Sequence, residues 1–195
     1  MIKNLKKLEH NLGFTLQDNV FCLAVDTATK SGIATIYIMK NKIQIKTGLI
    51  TIPALPKDIE DKNEKYEQHL RLFLQEIKKF KALLQTGLDN NKQKYHKVMI
   101  LENSFLKMNV VTFGFLRALQ GIIYAELSPV FDEVKIIFPI TARKIVGFKS
   151  VLPKGSKGKD KKKEIQNWVG NVVEEKIKDD NCADALLLMF AGLKK

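Results

Sequence analysis

Phe21–Val25 (FCLAV) is apolar at every position, the pattern of a central strand covered on both faces, and it runs directly into Asp26. After the turn segment DTATKSG, Ile33–Met39 and Lys42–Thr47 read as two further strands. IQIKT alternates apolar and polar residues, and Asn41 marks the hairpin between them. Three strands therefore open the fold, the latter two antiparallel. Pro53 and Pro56 close this section, and a helix is expected from about Asp58 to Gln85. Its apolar residues Tyr66, Leu70, Phe73, Ile77, Phe80 and Leu84 are spaced 4, 3, 4, 3, 4, a single stripe opposite a charged face. That stripe fits a helix packed on a sheet better than a coiled coil, and Gly87 with the polar stretch 89–94 is expected to end it. Val98–Leu101 (VMIL) is a short buried strand ending at Glu102. Val110–Leu127 is an apolar helix on which Gly114, Ala118, Gly121 and Ala125 form a stripe of small residues, suited to close packing either on the sheet or on a second subunit. Val134–Phe138 is the fifth strand.

Between Lys144 and Lys163 stand eight lysines and one acid, Asp160, with Gly147, Pro153, Gly155, Ser156 and Gly158, so a mobile basic loop is expected. A helix from about Lys161 to Lys176 should bury Ile165, Trp168, Val169 and Val172, and a last helix, containing ADALLLMFAG, starts near Asn181. Residues 1–20 read as a basic amphipathic extension ahead of a single domain spanning 20–195. The chain has no internal repeat and no linker-like boundary.

Charge changes this picture more than composition does. The 195 residues are 45% hydrophobic and 28% charged, as a folded domain requires. Lysine and arginine number 33 against 21 acids, a net charge of +12, which points to a polyanionic partner. Arginine occurs only at 71, 117 and 143, the usage of an AT-rich genome. Cys22 and Cys182 are the only cysteines, which excludes a disulfide scaffold and a cysteine-based zinc finger and fits a reducing compartment. The opening MIKNLKKLEHNLGF has no apolar core of a secretory signal. The apolar stretch 110–127 is interrupted by Arg117, Gln120 and Glu126, so no membrane span is expected.

Against this basic background three acidic positions stand out. Two apolar strands each end in one carboxylate, Asp26 and Glu102, and Asp179, Asp180 and Asp184 open the final apolar helix. A carboxylate at the end of a buried strand is costly unless something positive holds it. Carboxylates that converge repel one another, and a divalent metal removes the repulsion. Mg²⁺ prefers oxygen ligands and keeps part of its water shell, so few carboxylates suffice. Beside a lysine-rich surface such a site suggests phosphodiester chemistry with two metals, roughly 4 Å apart. Taken singly, Asp26 and Glu102 read equally well as turn or cap residues, and Asp179 and Asp180 as helix N-terminal acids. Asp184, flanked by Ala183 and Ala185 and followed by apolar residues, is harder to explain that way. It lies where it can share a helix face with Asp180 or Asn181. The ordered set is far more specific than any member.

That ordered set resembles the RuvC-type Holliday junction resolvases of the RNase H-like nuclease superfamily, over most of residues 20–192. Asp26 matches the aspartate of the first strand, Glu102 the glutamate, and Asp184 in CADALLL the closing aspartate. ENSF places Phe105 where these enzymes carry an aromatic near the junction centre. TFGFLRALQGII looks like the helix that contributes to their dimer, and ARKIVGF like the segment ahead of their basic loop. The resemblance implies an α/β RNase H-like fold, a mixed five-stranded sheet flanked by helices on both faces. It implies a homodimer that nicks opposed strands of four-way or branched DNA in recombination and repair, in the cytoplasm of a bacterial or phage-infected cell and not at a membrane. Two Mg²⁺ per subunit, replaceable by Mn²⁺, would be held by Asp26, Glu102 and Asp184, with Asn181 or Asp180 completing the site. Hydrolysis would leave a 5′-phosphate and a 3′-hydroxyl, and Lys162 or Lys163 would stabilise charge on the phosphate. Phe105, Arg143, Lys144, Lys149, Lys154, Lys157, Lys159 and Lys161 would contact DNA. The chain departs from the family in a turn after Asp26 one residue shorter and in Asn181, where many members carry Asp or His. The resemblance so qualified implies a divergent member, of the kind a phage or another AT-rich replicon carries.

Three rivals fit parts of the same pattern. Another RNase H-like nuclease, acting on RNA–DNA hybrids or on branched or flapped DNA, would share the carboxylates. VDTATKSGIATI superficially resembles the first phosphate-binding turn of actin-like phosphotransferases, which need a second domain that this length does not provide. A non-catalytic nucleic-acid-binding module would use the acids only as caps and ion pairs.

Overall fold

The computed structural model describes residues 4–55, 61–90, 94–103, 110–153 and 158–195. Strand β1 (Val20–Asp26) is buried at all seven positions and lies at the centre of a five-stranded sheet. It pairs antiparallel with β2 (Lys30–Met39), which pairs antiparallel with β3 (Lys42–Thr51). On its other side β1 pairs parallel with β4 (His96–Glu102), and β4 parallel with β5 (Glu133–Ile137), giving the order β3-β2-β1-β4-β5. The β2–β3 hairpin turns on Lys40 and Asn41, both at positive φ (45° and 65°), the two-residue geometry that matches strand twist.

Strand parity sorts the core into two. Val20, Cys22 and Ala24 of β1, with Val98 and Ile100 of β4, face a core completed by helices α1 (Leu5–Leu12), α4 (Pro139–Ile145), α5 (Gly158–Val173) and α6 (Asp180–Leu193). Phe21, Leu23 and Val25, with Met99 and Leu101, face a second core under α2 (Lys62–Asp89) and α3 (Val110–Leu127). The chain is thus a three-layer α/β fold with a mixed sheet between two helical layers.

The sequence reading needs correction chiefly in the helices. Helix α2 runs past Gly87 to Asp89 instead of ending near Gln85: Gly87 is helical and exposed, where glycine costs only about 1 kcal/mol. Asp61 caps α2 by accepting from the backbone N–H groups of Asn63 and Glu64 at 2.8 Å, and the expected start at Asp58 falls outside the described residues. The basic segment 144–163 is loop only in part. Lys144 closes α4, a helix the hydropathy pattern did not announce, and Lys159, Lys161, Lys162 and Lys163 lie on α5, which starts at Gly158 and ends at Val173 rather than spanning 161–176. Lys154 and Lys157 lie outside the described residues.

Residues 5–16 are integral to the first core. Leu5, Leu8, Leu12 and Leu16 are buried there, Asn4 caps α1 and Gly13 ends it at φ 73°. The small-residue stripe of α3 does not pack on the sheet. Leu119, Ile123 and Leu127 are the buried face of α3, whereas Gly114, Gly121 and Ala125 are exposed beside Val111 and Tyr124. By length and composition alone, 110–130 would suffice to cross a membrane.

Candidate active site

Asp26, like Val20, Cys22 and Ala24, has the parity of the α6 side of the sheet, and Glu102 shares that parity with Val98 and Ile100. Val25 and Leu101 are register partners, so the two carboxylates stand side by side one residue on, at the C-terminal ends of adjacent parallel strands. That edge is where open α/β sheets place ligands. Asp184 comes from α6, which crosses the same face. What brings it there is Gly32, the register partner of Asp26. A Cβ at Gly32 would lie 2.0 Å from the carbonyl oxygen of Asn181, so the N-terminus of α6 rests directly on the backbone of β2. Gly192 plays the same part at the other end of α6, where a Cβ would lie 2.2 Å from Ile100.

The three carboxylates line one cleft of about 390 Å³, together with Thr27, Arg143 and an apolar wall. Asp26 is 7% exposed and hydrogen-bonds to Glu102. Burial, then that hydrogen bond and the repulsion of Glu102, hold the Asp26 carboxyl well above the usual carboxylate range. Burial and the charge of Asp26 push Asp184 up to about 7, against the pull of Arg143, whose guanidinium lies 3.9 Å away, and of Lys162. Both carboxyls therefore take up protons where a cation would relieve them. Among the described residues no three His, Cys, Asp or Glu side chains are already drawn together as a metal cluster. The donor set nonetheless suits a hard divalent ion: oxygen ligands throughout, mutually repelling, with a hydrogen bond between two of them that ionisation would open.

Two side-chain polar atoms are buried without a hydrogen-bond partner among the described residues, Thr27 Oγ1 and Arg143 Nε, and both residues line this cleft. Such atoms are rare and costly unless a ligand satisfies them.

The remaining sequence candidates separate cleanly. Lys162 donates to Asp180 at 2.5 Å, which raises the lysine and lowers the aspartate, and its charge reaches Asp26 and Asp184. Lys163 lies instead along the outer groove with Gln166 and Lys178. Asp180 and Asn181 stand at the N-terminus of α6, one turn before Asp184, and do not line the cleft. Asp179 is the cap of α6 and pairs with Lys30 at 2.6 Å. Arg143 sits in the cleft; Lys144 and Lys149 border a shallow groove beside it. Phe105 lies outside the described residues. Trp168 packs edge-on against Phe148 at 5.7 Å, at the margin of the core.

Two supporting residues escaped the sequence reading. Gln120, 5% exposed, donates its amide to the Glu102 carbonyl at 3.0 Å, and Arg117 donates to Gln120 and to Asn103. Together they fix the end of β4. The signal was present in two of the residues, Arg117, Gln120 and Glu126, that interrupt an otherwise apolar helix.

No protein-family model and no curated protein matches the chain. Solved structures do. RuvC of T. thermophilus in complex with a Holliday junction substrate superposes with a TM-score of 0.57 at 9% identity, covering 88% of this chain and 91% of that one. A second Thermus thermophilus RuvC structure gives 0.56 at 12% identity, covering 90% and 98%. The chain has the fold of RuvC, an RNase H-like α/β fold.

Proposed function

We propose that this RuvC-fold chain is a divalent-metal-dependent structure-selective endodeoxyribonuclease that nicks opposed strands of four-way DNA junctions as a homodimer. One observation carries the proposal: three carboxylates from three elements meet in one cleft, lined also by Arg143 and Thr27, on a chain of net charge +12.

Asp26, Glu102 and Asp184 would hold Mg²⁺, with Asp180 or Asn181 within one turn of Asp184. The bound ion would supply Lewis-acid activation of water and of the phosphate. The chain's own residues do the rest. Arg143, whose guanidinium lies 3.9 Å from Asp184 in the cleft, would pair with a phosphate oxygen, and Thr27 lines the same space. Lys162, held by Asp180, keeps a positive charge beside the cleft without entering it, where it favours charge developing on the phosphate. Lys159 and Lys161 on α5, with Lys144 and Lys149, extend the positive surface for backbone contacts, which supply affinity rather than sequence information. The exposed stripe of Gly114, Gly121 and Ala125 on α3 supports an isologous contact between two copies, whose two-fold axis matches a four-way junction.

The test is a labelled immobile four-way junction incubated with Mg²⁺ or EDTA, beside linear duplex and an RNA–DNA hybrid. Paired, symmetric, religatable nicks on the junction that require Mg²⁺ are expected. Preference for the hybrid would assign a different nuclease, and tight binding without cutting would leave a binding module.

A further inference from the structure

The acidic wall of the cleft suits a phosphodiester only through a bound cation, and about half of the cleft is something else. Phe138, Pro139, Ile140 and Leu116 line the same 390 Å³ as Asp26, Glu102 and Asp184. Phe138 is 45% exposed and Ile140 71%, both within three residues of the end of the edge strand β5. Ile137 is the register partner of Glu102, so Phe138 lies one residue onward on the neighbouring strand, and adjacent strands run about 4.8 Å apart. The position is held firmly. Phe138 is the N-cap of α4, and its carbonyl accepts from Ala142 at 2.9 Å.

An apolar wall in the same cleft as a cation and a carboxylate set has the mixed character of a nucleotide: an anionic phosphate joined to a flat base. An apolar peptide offers Arg143 no anion, and the acyl chains of a phospholipid lack the flat ring that a half-exposed aromatic stacks on. Resting on the nuclease reading, we propose that Phe138, backed by Ile140 and Leu116, receives the unstacked base adjoining the phosphate to be cut, and so sets the base preference at the cut site. Aromatic stacking discriminates by ring area and desolvation, and its loss weakens binding about fivefold to a hundredfold per base.

The experiment places 2-aminopurine at each crossover position of a four-way junction and reads its emission on binding in EDTA. In parallel, cut positions are mapped with Mg²⁺ on junctions carrying randomised crossover bases. Wild-type protein is expected to change the emission at one position, Phe138→Ala to abolish that change and flatten the cut-site distribution, and Phe138→Tyr to retain both. Phe138→Leu, which keeps apolar bulk at a half-exposed site, serves if the alanine variant is poorly folded, and should lose the emission change. Wild-type emission and cutting reproduced by both Phe138→Ala and Phe138→Leu would overturn the base-receiving wall and leave the nuclease intact. Emission changes that depend on Phe138, without cutting by the wild type, would overturn the nuclease and keep the wall. No binding by wild type would overturn both.

Discussion

Changing Gly32 to alanine adds one methyl group at the point where α6 rests on β2. That methyl would lie 2.0 Å from Asn181 O and 2.2 Å from Asn181 C. Both atoms are backbone, so no rotamer change relieves the clash, and either β2 or the start of α6 must move. Overpacking of this kind costs about 1–3 kcal/mol, and a rigid neighbour places it at the upper end. Gly→Ala recovers about 0.4–1 kcal/mol by restricting the unfolded chain. The net loss is about 2–3 kcal/mol, which for a chain of this size lowers Tm by roughly 4–12 °C. The same substitution at Gly87 meets nothing within 4 Å and lies within α2, so it should gain about 1 kcal/mol and raise Tm by about 2–4 °C. Thermal unfolding followed by circular dichroism reads both. Cleavage measured well below Tm should fall for Gly32→Ala alone, because the displaced helix carries Asp184. A Gly32→Ala protein melting at or above wild type would refute the close approach as the device that seats α6.

Asp26→Asn and Asp184→Asn should each abolish Mg²⁺-dependent nicking while junction affinity stays within a few-fold, by gel shift; a variant that cuts at the wild-type rate removes that residue from the site. In metal-free buffer the folded chain holds protons on Asp26 and Asp184 that the unfolded chain releases. Their contribution to stability is therefore full below the ordinary carboxylate range and is lost as pH rises, that of Asp184 through about 7 and that of Asp26 above the ordinary carboxylate range. Tm in EDTA should fall between about pH 5 and 7.5, Asp184→Asn should flatten the fall, and Mg²⁺ should restore Tm at the upper end; a Tm that rises there contradicts the assignment. Neutralising Lys154, Lys157 and Lys159 should weaken DNA binding and flatten its logarithmic salt slope by up to about 3, given a slope near 0.9 per phosphate contact. Gly121→Arg on the exposed stripe of α3 should convert a dimer to a monomer by light scattering without lowering Tm.

Much of the sheet was legible because its signals are local. FCLAV could only be a strand covered on both sides, and Asn41 sits in a two-residue turn that demands positive φ. Asp26 and Glu102 were legible as a pair because each follows an apolar run, and strand parity alone puts them on one face. Helix α4 was not legible. It is short, its Pro139 reads as a breaker, and what holds it is Ala142 and Val146 packing under α6, a contact with no trace in neighbouring residues. The lysine run obscured the start of α5 in the same way, since solvated lysines are neutral between loop and helix. The pairing of Asp180 with Lys162, and the choice of Lys162 over Lys163, depend on which way α5 turns as it meets α6, a rotation that pattern does not encode.

All the residues from Cys182 to Leu193 are buried except Asp184, which the cleft keeps in reach of solvent. Helix α6 is therefore both the plug of one core and the bearer of the third carboxylate. During synthesis this segment leaves the ribosome after every strand of the sheet. Until then the face formed by Cys22, Ala24 and Ile100 lacks the cover that α6 gives it, and the nascent chain leaves that part of the core open. The seating of α6 thus closes the hydrophobic face and assembles the cleft in one event, so a chain arrested short of that helix lacks the means to cut DNA, whatever else of it has folded.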